Sequence, residues 1–155
     1  MSGEDLRTAT ENEVAPGEGY GGDVVPKDAW AILKESPEAV LFDCRTQPEW
    51  AFVGVPDLRS LGKEARLIPW QVFPAMQVNA GFVDQVKAAG ANEDTPVLVI
   101  CRSGARSRAA AIKLTEAGFK RAYNVAQGFE GGHNENKHRG EKEGWKVSGL
   151  PWVQD

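Results

Sequence analysis

Cys101-Arg-Ser-Gly-Ala-Arg-Ser107 is the stretch in which residue types and spacing converge on a reactive atom. It follows Pro96-Val-Leu-Val-Ile100, the most hydrophobic run of the chain, and precedes an alanine-rich segment from Arg108 to Ala117. An apolar run of that length, rich in Val and Ile, predicts a central strand buried on both faces. The alanine-rich segment predicts a helix closed by Gly118. Cys101 therefore sits where a strand ends and a helix is about to begin, at the edge where open parallel sheets bind ligands. A loop there turns backbone N–H groups inward, and the helix start adds partial positive charge. Arg102, Arg106 and Arg108 add full charges, with no acid before Glu116. Each effect favours a thiolate, which is both a nucleophile and a carrier of a terminal sulfur. A persulfide anion needs the same N–H cradle as an oxyanion, and Gly104 lets the loop curl tightly. The plainer reading is a buried structural cysteine before an ordinary turn. The glycine, the arginines and the abrupt helix together weigh against it.

Other candidate groups carry weaker signals. Asp43 and Arg45 flank Cys44 at the end of the apolar run Ala39-Val-Leu-Phe42. They suit a structural ion pair, or hydrogen bonds to a neighbouring loop, better than direct catalysis. Cys44 suits a buried small apolar position, with a relay or resolving thiol as the alternative if the two strand ends are neighbours. His133 and His138, with Glu130 and Glu135 nearby, could ligate a metal, but Gly131, Gly132, Asn134 and Asn136 argue for a solvated loop, and no metal or cofactor is expected. The five tryptophans are spread through the chain and suit packing better than ligand stacking.

The elements that must position Cys101 follow from the rest of the pattern. Asp23 to Val25 is a short extended piece. Pro26 opens a helix with an apolar stripe of Ala29, Trp30 and Leu33, stopped at Ser36-Pro37. Ala39–Phe42 reads as a buried strand. Thr46 with Glu49 three residues on forms a capping box for a short helix through Trp50. Residues 54–66 read as irregular, Arg66 to Trp70 as a short strand, and Met76 to Ala89 as helical from near Asn79. Arg121 to Val125 is the next strand, and 128–155 is Gly-rich loop closing on Gly149-Leu-Pro-Trp152. Alternating strands and helices predict a mainly parallel central sheet with helices on both faces, an α/β fold.

The 155 residues suit one domain. Residues 1–22 carry five acids and one base without an apolar period, so they read as a disordered acidic tail ahead of a domain at 23–155. From 23 onward, 17 bases balance 17 acids, so the net charge of −4 belongs to the tail and argues against nucleic-acid or membrane partners. No basic start followed by an apolar run is present, and two cysteines are too few for a disulfide scaffold or a four-ligand zinc site. A cytoplasmic setting with reduced thiols is the expectation.

The segment Cys101–Ser107 resembles the active-site loop of the rhodanese family. Asp43-Cys44-Arg45 after a strand resembles the family's Asp-x-Arg element. Gly128-Phe129 resembles its glycine turn, and Gly149-Leu-Pro-Trp152 its C-terminal end. The match spans roughly residues 23–153. It implies a single rhodanese-like domain, a persulfide on catalytic Cys101, and a binding loop of Arg102, Ser103, Gly104, Ala105, Arg106 and Ser107 supported by Asp43 and Arg45. The implied activity is transfer of sulfane sulfur from a small anionic donor such as thiosulfate to cyanide or a thiol, including a protein thiol. The alternative is a non-catalytic interaction module or a protein-to-protein relay. Related phosphatases and arsenate reductases place five residues between Cys and Arg, to wrap a tetrahedral oxyanion. Four separate Cys101 from Arg106, which favours a sulfur atom. The chain departs from the family after the short helix, where Gly54-Val-Pro-Asp-Leu58 replaces the frequent Gly-His-Ile-Pro-Gly-Ala.

Overall fold

The computed structural model describes residues 19–139 and 142–154. Most of the acidic segment, residues 1–18, lies outside the described residues. The described chain runs β1 (Gly22–Val24), α1 (Pro26–Glu35), β2 (Val40–Asp43), α2 (Gln47–Val53), β3 (Val55–Pro56), a 3₁₀ turn (Arg59–Leu61), β4 (Arg66–Leu67), β5 (Gln71–Val72), β6 (Gln77–Val78), α3 (Phe82–Ala88), β7 (Val97–Ile100), α4 (Ala105–Glu116), β8 (Ala122–Val125) and β9 (Trp152–Val153).

Five strands form one sheet in the order β1-β8-β7-β2-β4, every neighbouring pair parallel. The run Val97–Ile100 is the middle strand, and all four residues are fully buried. Its side chains alternate between two cores, as the period of a strand requires. Leu98 and Ile100 pack with Ala29, Ile32 and Leu33 of α1, and with Phe129 and Trp145. Val97 and Val99 pack with Phe82 and Val86 of α3, and with Ala110, Ala111 and Leu114 of α4. The sheet is thus covered on both faces, which is why its strands read as continuous apolar runs.

α1 forms where expected, with Pro26 in its first turn, Asp28 near the N-terminus and Lys34 in the last turn. Two expectations are corrected. Residues 76–81 are not helical. Met76 closes an antiparallel hairpin, β5 pairing with β6, and the helix begins only at Phe82. Met76 has φ 56, outside the helical region, so its turn overrides the apolar spacing that suggested helix. The helix after Cys101 begins at Ala105, three residues earlier than expected, because Gly104 at φ 116 turns the chain and the Arg108 N–H already bonds the Gly104 carbonyl. The described residues of the Gly-rich 128–154 stretch are mostly loop, with two additions. Trp145 is fully buried, its indole N–H donating to the Pro151 carbonyl, and β9 pairs with β3.

Candidate active site

Register brings the candidate residues together. Asp43 of β2 pairs with Ile100 of β7, so Cys44 and Cys101 are the next residues on adjacent strands, and the Cys44 N–H bonds the Ile100 carbonyl at 2.9 Å. Both thiols are free and share one buried cluster.

The loop after β7 is shaped from outside and inside. Outside, the turn after β8 holds its carbonyls. Phe129 N–H bonds the Cys101 carbonyl at 2.8 Å, and the N–H groups of Glu130 and Gly131 bond the Arg102 carbonyl at 3.0 and 3.1 Å. Gly128 makes this approach possible, since a Cβ there would lie 2.5 Å from the Arg102 backbone. With its carbonyls fixed outward, the loop presents N–H groups inward. Gly104 N–H points to Cys101 Sγ at 3.1 Å, Ser107 N–H at 3.4 Å, and the Ser107 hydroxyl at 3.1 Å. The Cys44 thiol is the buried neighbour of Cys101 on the adjacent strand.

These contacts set the protonation state. The Cys44 hydrogen bond draws the Cys101 pKa down, burial opposes it, and the Ser107 and Gly104 donors add to the lowering, leaving the thiol at about 5. Burial pushes Cys44 well above its ordinary value, with the neighbouring Cys101 adding to the rise, so Cys44 stays protonated. Cys101 is 1 % exposed and forms the floor of an open pocket of about 350 Å³, walled by Glu49, Gln71, Met76, Arg102 and Arg106.

The three loop arginines have different surroundings. Both terminal nitrogens of Arg106 grip Glu49, at 2.7 and 2.9 Å. Burial works to raise the Glu49 pKa, but Arg106 outweighs it with help from Thr46, holding it at about 2. Arg108 faces Asp23 at 3.9 Å. Arg102 is exposed beside the pocket and makes no ion pair among the described residues. Ser103 and Ala105 are exposed on the loop rim, and both line the pocket.

Asp43 and Arg45 lie beneath the loop, fully buried, joined through Nε and Nη2 at 2.6–3.1 Å. Arg45 also donates to the Gly54 carbonyl at 2.6 Å and stacks 4.3 Å from the Phe129 ring centroid. The pair thus ties the end of β2 to the end of α2 and to the glycine turn, without touching Sγ in any bond described.

Three contributors carry little or no signal in the sequence. Glu49 reads there only as a cap. Asn124 and Asp23 point to no role, yet Ser107 Oγ contacts Asn124 Oδ1, and Asn124 Nδ2 donates to Asp23 Oδ1 at 2.8 Å. The available signal was Asn124 itself, since Asn is depleted in strands and here interrupts an apolar one. Among the described residues, no cluster of three or more His, Cys, Asp or Glu side chains is arranged to hold a metal ion. Nor is any helix long and apolar enough to cross a membrane.

The chain matches the family described as STR4 middle domain over residues 21–155. The crystal structure of Rv0390 from M. tuberculosis superposes with a TM-score of 0.80 at 45% identity, covering 88% of this chain and 99% of that one. An uncharacterized protein of Rickettsia prowazekii, RP600, is 37% identical over 80% of this chain and 90% of its own length. A thiosulfate sulfurtransferase, GlpE of Actinobacillus pleuropneumoniae serotype 3, is 30% identical over 83% of this chain and 90% of its own. The parallel sheet, the loop after its middle strand and these likenesses agree: the chain belongs to the STR4 middle-domain family, within the rhodanese-like domains.

Proposed function

We propose that the protein is a sulfurtransferase carrying sulfane sulfur as a persulfide on Cys101. The observation that carries this reading is the convergence of the Gly104 and Ser107 N–H groups and the Ser107 hydroxyl on Cys101 Sγ, which holds a thiolate on the floor of an open pocket. With thiosulfate as donor, the thiolate electron pair attacks the outer sulfur, the donor's S–S bond breaks, and sulfite leaves with that bond's electrons. The persulfide anion is then cradled by the loop N–H groups. An acceptor thiolate or cyanide attacks the outer sulfur, and the Cys101 thiolate departs. Arg102, without an ion pair among the described residues, attracts the anionic donor. Asp43, Arg45 and Arg106 keep the loop in shape. The four-residue spacing and a loop drawn tightly round one sulfur atom favour this chemistry over phosphate hydrolysis.

A protein thiol as acceptor is a second reading. It is favoured by an apolar groove of about 460 Å³ next to the pocket, lined by Trp50, Val72 and Phe73, and by Phe52 at 77 % exposure. The test of the primary reading is thiocyanate formation from thiosulfate and cyanide. Wild type should turn over and Cys101→Ser should not; equal rates in both would overturn the proposal.

A further inference from the structure

The polar groups behind Ser107 form a chain that the transfer steps above leave unused. A carboxylate only accepts hydrogen bonds. Asp23 Oδ1 takes one from Tyr20 at 2.9 Å and one from Asn124 Nδ2 at 2.8 Å. That fixes the Asn124 amide, with its NH₂ toward Asp23 and Oδ1 toward Ser107. Oδ1 cannot donate, so the Ser107 hydroxyl supplies the proton of that contact. The same single proton is also within reach of Cys101 Sγ at 3.1 Å and the Gly104 carbonyl at 3.3 Å. Ser107 and Asn124 are both buried, so an unmet bond on either is costly.

We propose that Asp23, acting through Asn124, is a positioning residue for the sulfur chemistry: it holds Asn124 Oδ1 as a resting acceptor, so that the Ser107 hydroxyl turns to Cys101 Sγ only while that sulfur is charged. The proposal rests on Cys101 being the sulfur carrier. In the thiolate, the hydroxyl donates to Sγ. In the persulfide, the charge sits on the outer sulfur, Sγ is bonded and neutral, and the hydroxyl returns to Asn124. When an acceptor's electron pair bonds the outer sulfur and the S–S bond breaks, its electrons move to Sγ and the hydroxyl swings back. A donor engaged only as charge builds on the leaving sulfur favours the transition state over the persulfide.

The test reads ionisation directly, as the pH dependence of Cys101 alkylation by iodoacetamide in the full chain, with the site confirmed by peptide mass. The charged and titratable groups facing the two ends are Cys44, Arg106 paired with Glu49, and Arg102 around Cys101, and Tyr20 and Arg108 around Asp23. Asp23→Asn lets the Asn124 amide flip, places an N–H against Ser107 Oγ and commits the hydroxyl proton to sulfur. The apparent pKa should fall by about 0.5–1 unit, the worth of one hydrogen bond, and Asp23→Glu should behave as wild type. Loss of a negative charge alone would also lower it, so the deciding arm is the Ser107→Ala background, where the fall in Asp23→Asn should shrink to that charge effect and the charge-neutral Asn124→Ala should change nothing. Asn124→Ala removes the resting acceptor, should give the same Ser107-dependent fall, and carries the test if Asp23→Asn fails to fold. A fall of undiminished size without Ser107, or no fall in either variant, overturns the proposal. Failure of the sulfur-carrier reading shows separately, as no persulfide on wild-type Cys101, and leaves the alkylation result standing.

Discussion

Arg106 grips both carboxylate oxygens of Glu49, at 2.7 and 2.9 Å, and so ties the first turn of α4 to the first turn of α2 across 57 residues of sequence. Glu49 Oε1 also accepts from the Thr46 N–H and hydroxyl, so one carboxylate caps α2 and anchors the Cys101 loop. Arg106→Ala should therefore slow the transfer step, because the loop loosens, and Glu49→Gln should do so more mildly. The Glu49 pKa lies below its ordinary value, so the stability it adds is present above about pH 4.5 and is lost as pH falls through about 2. Unfolding midpoints across that range check the sign. A Glu49→Gln protein with wild-type turnover and the same acid profile would remove the role.

Arg102 is the loop cation left without an acidic partner among the described residues, so its charge is free to meet the donor. Arg102→Ala should mainly raise KM for thiosulfate, Arg102→Glu should raise it further, and salt should raise KM in wild type, since exposed charges are screened within roughly 8–10 Å. Steady-state kinetics against ionic strength measure this. An unchanged KM in Arg102→Glu would rule out donor recognition by that residue.

The site was partly legible in the sequence, and the boundary has a physical cause. Local signals survived folding: the capping box at Thr46 and Glu49, the apolar run before Cys101 and the glycine of the loop act within a few residues of themselves. What failed depended on partners far along the chain. The three arginines looked alike in sequence, but Glu49 neutralises Arg106, Asp23 faces Arg108, and only Arg102 stays unpaired among the described residues. The spacing of Met76, Phe82, Val83 and Val86 suits a helix, yet Met76 belongs to a hairpin whose pairing is set by residues 71–78. In sequence Cys44 suits a packing position, with a relay or resolving thiol as the alternative. Register with β7 gives it a neighbour, Cys101, that no local pattern announces.

That neighbour yields a prediction about acidity. Cys44 leads the lowering of the Cys101 pKa, so Cys44→Ala should move the alkylation profile to higher pH, while Cys44→Ser, which keeps a donor, should retain sulfur uptake and turnover. In wild type, alkylation should be nearly flat through neutral pH and drop about tenfold per unit below about pH 5. The folded-state pKa is depressed, so the accompanying stability is full above the unfolded thiol value of about 8.5 and is lost as pH falls toward 5. A wild-type midpoint near 8.5 would contradict the cradle.

The buried Asp43–Arg45 pair should matter for folding more than for chemistry. Removing one partner strands a buried charge, so Arg45→Ala should destabilise by about 3–5 kcal/mol, read by denaturant unfolding. A loss under about 1 kcal/mol would mean that water reaches the pair.

Intact-mass analysis without reductant, after brief exposure to thiosulfate, tests the central claim most directly. Wild type and Cys44→Ser should each gain the mass of one sulfur atom, located on Cys101 by peptide mapping and discharged by cyanide, while Cys101→Ser should gain nothing. A sulfur atom found on Cys44, or the same gain in Cys101→Ser, would contradict a persulfide carried by Cys101.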